Sequence, residues 1–172
     1  MRYVSKYIGI TIGPIVNTII EASKPATLWY ASTLFSDLTF RICFGLGEIF
    51  DDVQIYSPYF KKELDLSDGV GKYHDRIIFS TNIFEKDKFD MFIKKVKRNT
   101  ALTLPEGYQG EEYRLFMERY LQIKYVVYDE KDFSGNCVKA LSYPLDLLEL
   151  MQTFPSDSIH NPIKKVFYSD NA

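Results

Sequence analysis

The apolar residues near the start of the chain change from the spacing of a β-strand to that of an α-helix across a single turn. Residues 8–12 alternate isoleucine with glycine and threonine, which is the period of a strand. Gly13-Pro14 follows directly, and proline fits the first turn of a helix. Isoleucines at 15, 19 and 20 continue a helical face to about residue 22. The order predicts a strand that meets a helix at a glycine turn.

A second helix is predicted immediately after the first one. Ser23 or Lys24 supplies its cap, and Pro25 stands near its first position. We expect this helix to end near Gly45 and Gly47. Its predicted apolar stripe consists of Leu28, Phe35, Leu38 and Ile42.

The rest of the chain continues to switch between strand and helix periods. Strands are predicted at 51–56, 76–80 and 121–128, and helices at about 85–98, 113–120 and 139–152, the last with Pro144 marking or breaking its start. With adjacent helical pieces merged, the order is βαββαβ. We therefore predict an α+β, ferredoxin-like fold, in which helices pack on one face of an antiparallel sheet. Residues 1–153 form the predicted domain, and 154–172 a C-terminal tail or the start of a linker to a following domain.

Composition narrows the class of protein. A net charge of −2 argues against a general nucleic-acid-binding surface, and 46% hydrophobic residues favour a packed globule. Cys43 and Cys137 lie far apart and are expected to be buried, reduced thiols. No segment approaches the ~20 apolar residues of a membrane span, so we expect a cytoplasmic protein without a membrane partner.

Three kinds of metal or nucleophile site lack the residues they need. An HD-type nuclease site requires several histidines, and the chain has only His74 and His160. No CxxC pair indicates zinc, and neither cysteine has an activating neighbour. Asp75 is expected to end a loop, pairing with Arg76 or capping a turn. The basic run at 94–98 is interpreted as a solvated helix face, with contact to RNA in an assembly as the alternative.

The opening segment carries a more specific pattern. "IGP" followed by "ASKPATLWYASTLFSDL" resembles the N-terminal palm-like domain of the large polymerase/cyclase-like subunit of type III CRISPR effector complexes. The matching positions are Ile12, Gly13, Pro14, Lys24, Leu28, Trp29, Ala31, Ser32, Leu34 and Ser36. The segments at 55–58, 74–79 and 121–129 resemble the family's later strands, so that the likeness covers about residues 5–130.

The resemblance implies a non-catalytic role for this domain. In the family the first palm lacks the catalytic carboxylates, and a second, GGDD-bearing palm makes cyclic oligoadenylate. Two-metal nucleotidyl transfer needs an acid at the end of the first strand, where this chain has Thr11-Ile12-Gly13. The central connection offers Asp68 and Asp75 without paired acids. The resemblance therefore implies ATP as ligand, Mg²⁺ supplied through the partner palm, and other type III effector subunits with guide RNA as partners.

The same resemblance suggests a nucleotide-binding site at the first turn. Val16-Asn17 stands where the family often has glutamine, and Lys24 offers a point charge rather than a bidentate clamp. The predicted nucleotide-binding residues are Gly13, Pro14, Asn17, Lys24, Ser32 and Ser36, converging on one polar pocket beneath the turn. The alternatives are that the turn is only a corner and that the serines bond back to their helix. Trp29 is expected to belong to the core rather than to form a stacking platform.

Two other functions remain open from the sequence. The first is a purely structural interaction module with the same sheet and no nucleotide. The second is an independent nucleotide-binding regulator. A fold alone does not separate them.

Overall fold

The computed structural model describes residues 5–22, 24–60, 73–132 and 135–153. Its elements are β1 (Lys6–Gly13), α1 (Ile15–Glu21), α2 (Pro25–Ile49), β2 (Gln54–Ser57), β3 (Arg76–Thr81), α3 (Lys86–Asn99), α4 (Glu111–Tyr120), β4 (Gln122–Asp129) and α5 (Cys137–Leu150). Short 3₁₀ turns at Thr100–Thr103 and Glu130–Asp132 follow α3 and β4.

The four strands form one antiparallel sheet in the order β2-β3-β1-β4. β1 is central, and Ile10 lies opposite Ile77 of β3 on one side and Tyr125 of β4 on the other. This order is that of a ferredoxin-like βαββαβ unit. The predicted α+β class and antiparallel sheet are confirmed.

The main core lies between one face of the sheet and helices α2, α3 and α4. Alternate residues of β1 point to this face because side chains along a strand have a period of two. The fully buried isoleucines of β1 are joined there by buried side chains of the helices, among them Leu38, Ile42, Leu46, Phe89 and Met117. The alternation seen at 8–12 is therefore the sequence signal for this core.

Helix α5 packs on the opposite face of the sheet. Leu141 and Leu145 form a second buried cluster there with Ile78 and Cys137. Gly9 of β1 allows the close approach, since a Cβ on it would lie 3.2 Å from Leu145 Cδ1. The chain thus adds a covering helix to the βαββαβ unit. Both cysteines are buried and unbridged, as predicted from the sequence.

The predicted boundaries of most elements differ from the observed ones by a few residues. Helix α2, which was predicted to end near Gly45 and Gly47, continues through both glycines to Ile49. At Gly45 the ring of Phe92 lies against the helix, and a Cβ would stand 2.4 Å from its Cε2 atom. This glycine therefore marks close helix packing rather than the end of a helix.

Some predictions fall outside the described residues. They concern Ser23 as a cap, Asp68 in the central connection and the tail at 154–172. Across the described part of the chain, the helices lack the combination of length and apolar character that crossing a membrane requires.

Candidate functional site

The turn between β1 and α1 is anchored from two sides. The carbonyl of Pro14 accepts a hydrogen bond from the Thr18 backbone N–H at 3.2 Å, and another from the Thr18 hydroxyl. That hydroxyl also lies 2.5 Å from the Tyr120 hydroxyl at the end of α4. Burial raises the pKa of Tyr120 to about 12, so its hydroxyl keeps its proton at neutral pH. The turn is held in place by α4 as well as by the sheet.

A cavity of about 200 Å³ opens beside this turn. It is lined by Ile12, Pro14, Ile15, Val16, Asn17, Asp75, Glu149 and Gln152. Two of the six predicted nucleotide-binding residues, Pro14 and Asn17, are in this lining. The other polar residues of the lining are Asp75, just before β3, and Glu149 and Gln152 at the end of α5. None of these three residues belongs to the sequence motif.

Gln152 covers Gly13 from the side of α5. A Cβ built on Gly13 would lie 1.9 Å from Gln152 Oε1, so the glutamine amide occupies the space above the glycine. The Nε2 atom of Gln152 is buried and has no hydrogen-bond partner. In this conformation the backbone of Gly13 is shielded from a ligand by Gln152.

Carboxylates dominate the electrostatics of the cavity. Glu149 accepts hydrogen bonds from Arg76 at 2.6 and 2.7 Å and from the Thr11 hydroxyl at 3.0 Å. Hydrogen bonds to Glu149, followed by those to Asp146, hold the pKa of Arg76 above its ordinary value. Arg76 therefore pairs with α5 and not with Asp75. The cavity presents negative charge, which opposes an unaccompanied phosphate.

The remaining predicted residues lie elsewhere. Lys24 is exposed at the start of α2, where its backbone N–H donates to the Thr27 hydroxyl at 3.1 Å. Ser32 is half-buried. Ser36 is buried, and its hydroxyl accepts a hydrogen bond from the Tyr73 backbone N–H at 3.1 Å. Lys24, Ser32 and Ser36 do not line the cavity at the turn, so the predicted single pocket does not form in this conformation.

Helix α2 also fixes the entry to β3, a role that was not predicted from the sequence. Besides Ser36, the Thr39 hydroxyl donates to the backbone carbonyl of His74 at 3.1 Å. Nε2 of His74 lies 3.2 Å from the Ser57 hydroxyl. Serine and threonine spaced three apart on a buried helix face were the available signal. Within the described ranges, no group of three histidine, cysteine or acidic side chains is placed to hold a metal ion.

Helices α1 and α2 expose several large apolar side chains within a short stretch of sequence. We refer to them as the α1–α2 apolar surface, which comprises Val16, Ile19, Ile20, Leu28 and Trp29. Trp29 is 58% exposed and Leu28 is 41% exposed. The prediction that Trp29 belongs to the core is therefore wrong, and so is the placement of Leu28 on the buried stripe.

Helical geometry explains the exposure of Trp29. The buried line at the start of α2 is Thr27, Ala31, Leu34 and Leu38, which follows the spacing i, i+4, i+7, i+11. Trp29 is two residues from the first of these, or about 200° around the helix. The sequence held this signal, but the size and apolar character of tryptophan favoured the core interpretation.

Comparison with models of known protein families gives no match, and a search of the curated proteins finds no relative. The resemblance therefore stays a prediction from the sequence, carried mainly by the motif at residues 12–36.

Proposed function

We propose that this chain is a non-catalytic, palm-like interaction domain of a type III CRISPR effector, and that it pairs with a GGDD-bearing palm. The observation that supports this most directly is the exposure of Leu28 and Trp29. Both belong to the segment that resembles the family, and neither contributes to the core of this fold. A large aromatic side chain on a surface is costly to leave in water and is a frequent anchor of protein interfaces.

The neighbouring residues strengthen the interface proposal. Val16 is 70% exposed and Ile20 is 72% exposed on α1, the helix that precedes α2. The turn that leads into α1 is fixed by Thr18 and Tyr120, so the α1 part of this surface is held by the fold. A preorganised apolar surface binds a partner with little loss of conformational entropy.

The test is binding to a GGDD-bearing palm from the same genome, measured by isothermal titration calorimetry. Trp29→Ala is expected to weaken binding by about 2 kcal/mol, the size of an interface hot spot. Tyr143→Ala on α5 is the matched control, because Tyr143 is 70% exposed on a different face. Equal binding by wild type and Trp29→Ala, or weakening by Tyr143→Ala alone, contradicts the proposed surface.

A second candidate function is that the domain also holds ATP for cyclic oligoadenylate synthesis by the partner palm. It is favoured by the position of Pro14 and Asn17 in the lining of the cavity at the turn. Asp75, Glu149 and Gln152 oppose a phosphate there. We therefore propose that ATP binds weakly to the isolated chain, and that binding requires displacement of Gln152 and the Mg²⁺ carried by the partner.

This second candidate has its own test. ATP binding is measured by titration of the paired complex in Mg²⁺, with wild type and with Asn17→Ala. Loss of affinity in Asn17→Ala, with pairing unchanged, supports a nucleotide at the turn. If Asn17→Ala binds ATP as tightly as wild type, the turn does not bind the nucleotide. The function of the domain is then pairing alone.

A further inference from the structure

Helices α2 and α3 enclose a groove on the surface of the domain. Its volume is about 540 Å³, and we refer to it as the α2–α3 groove. Phe40 and Phe44 line it from α2, and Met91 and Phe92 from α3. This size lies within the range of sites that bury a ligand or several side chains of a partner.

The floor of the groove is held in place by aromatic packing. The Phe40 ring lies 6.1 Å from the Phe44 ring and 5.8 Å from the Tyr73 ring. The Phe92 ring lies against Gly45, where a Cβ would stand 2.4 Å from its Cε2 atom. The absence of a side chain at Gly45 thus leaves room for the Phe92 ring between the two helices. The apolar floor is part of the fold and does not require a ligand to form it.

The rim of the groove is mainly basic, although the chain as a whole has a net charge of −2. Arg41, Lys88 and Lys95 stand on the rim with one acid, Glu48. Arg41 pairs with Asp37 at 2.5 Å, and Lys88 lies 3.9 Å from Glu85. These exposed pairs leave the cations accessible to solvent, because the Arg41 side chain is 42% exposed and the Lys88 side chain 46%.

Basic side chains, most of them paired with glutamates, continue beyond the groove along α3. An adjoining hollow of about 350 Å³ shares Met91 and Lys95 with the groove and adds Lys94, Arg98 and Arg114. Glu118 on α4 holds Lys94 at 3.4 Å and Arg98 at 3.2 Å, and Glu111 pairs with Arg98 and lies 4.0 Å from Arg114. The residues of the basic run at 94–98 therefore lie in two different surroundings. Arg98 and Lys94 join α3 to α4, while Lys95 faces the groove.

The apolar floor and the basic rim together indicate the chemistry of the partner that the groove would bind. We propose that the α2–α3 groove binds an amphipathic, acidic helix of a partner protein. Such a helix places apolar side chains at i, i+3, i+4 and i+7 on the floor and carboxylates along its flanks. The carboxylates then meet Lys88, Lys95 and Arg41 on the rim. Complementary charge of this kind speeds association and excludes basic partners.

A single-stranded nucleic acid fits the groove less well. Its bases need open ring faces on which to stack, whereas Phe40 and Phe44 are packed against neighbouring rings. The net charge of −2 also opposes a polyanion outside this one surface. Apolar side chains with flanking carboxylates satisfy both the floor and the rim.

The test uses a designed, fluorescein-labelled peptide of about 18 residues, or five helical turns. Leucine occupies the i, i+3, i+4 and i+7 positions, and glutamate occupies most others. Anisotropy is expected to show saturable binding that weakens with added salt. A peptide with lysine in place of every glutamate is expected not to bind.

Variants of the protein locate the binding. The double substitution Lys88→Glu, Lys95→Glu is expected to reduce affinity for the acidic peptide at least tenfold. The control is Lys131→Glu, Lys139→Glu, which makes the same change of charge at exposed residues outside the groove. Circular dichroism establishes that both variants are folded.

Three results overturn the proposal. They are equal binding by the groove variant and wild type, equal loss in the two double variants, and binding of the lysine peptide as tight as that of the glutamate peptide. A fluorescein-labelled oligothymidylate or oligoadenylate that binds more tightly than the acidic peptide, and loses affinity in the groove variant, assigns the groove to nucleic acid instead. Because pairing through the α1–α2 apolar surface is measured separately, failure here does not affect the proposed function.

Discussion

Arg76 on β3 binds both carboxylate oxygens of Glu149 on α5, with Nε at 2.6 Å from Oε1 and Nη2 at 2.7 Å from Oε2. The two residues lie 73 positions apart in sequence. Their pairing fixes the end of α5 over the face of the sheet that the βαββαβ core leaves uncovered. The same contact places Glu149 in the cavity beside the first turn.

The first prediction concerns this ion pair. Arg76→Ala leaves Glu149 and Asp146 without their shared cation, and we expect the free energy of unfolding to fall by about 1 kcal/mol, since the groups are partly exposed. Arg76→Lys is the control and should recover part of the loss, because lysine keeps the charge but not the bidentate geometry. Urea unfolding followed by circular dichroism measures both. A loss in Arg76→Lys as large as that in Arg76→Ala would show that charge contributes nothing at this position.

The second prediction follows from the exposure of Trp29. Trp29→Ala is expected to change the free energy of unfolding by less than about 0.5 kcal/mol, as surface substitutions do. Leu38→Ala, in the fully buried part of the same helix, is expected to cost about 2–5 kcal/mol. Thermal melting of the two variants gives the comparison. A loss of stability in Trp29→Ala as large as that in Leu38→Ala would show that the tryptophan side chain is part of the core.

The difference between Trp29 and Leu38 also shows what the sequence can predict. Strand and helix periods depend on local spacing, so they predicted the β1–α1 turn, α3 and β4 within a few residues. The position of a residue around a long helix depends on which line of side chains meets the sheet. The size and hydrophobicity of Trp29 favoured a buried position. The face of α2 that packs on the core instead carries Thr27, Ala31 and Leu34, and Trp29 lies on the exposed face.

The candidate site was less predictable for a related reason. Pro14 and Asn17 are adjacent to the turn in sequence, and they do line its cavity. Asp75, Glu149 and Gln152 reach it only through tertiary packing of β3 and α5. No local pattern indicates that Gln152 lies over Gly13. Ser36 was assigned to a ligand from the family resemblance. Its observed bond to the Tyr73 backbone joins residues 37 positions apart, so no local pattern indicates it.

The third prediction is a pH dependence at Asp52. Its carboxylate accepts from the Thr81 hydroxyl and the Asn82 backbone N–H, both at 2.7 Å. The hydrogen bond from Thr81, above all, lowers the pKa of Asp52 from its ordinary value of 3.8. Because the folded pKa is the lower one, the stabilisation is complete above the unfolded value and is lost as pH falls through the folded value.

The experiment for Asp52 compares unfolding of wild type and Asp52→Asn between neutral pH and acid. The variant should be less stable at neutral pH, and the difference should shrink as the pH falls below 3.8. Asp87→Asn is the control, since Asp87 is exposed in the first turn of α3. A stability difference that does not vary with pH would contradict the role of the Asp52 carboxylate.

The last prediction tests whether Gln152 lies over Gly13. The backbone at Gly13 does not have a positive φ, so alanine is tolerated there except for the clash of its Cβ with the Gln152 amide. Gly13→Ala alone is therefore expected to cost at most about 1 kcal/mol, because the atoms in its way are the end of the Gln152 side chain, which can change rotamer. Gln152→Ala alone should cost little, because it removes a buried Nε2 that has no partner. In the double variant the added methyl occupies space that the glutamine has left, so the cost of Gly13→Ala should largely disappear. A double-mutant cycle from urea unfolding measures this coupling, and additive effects would place Gln152 away from the turn.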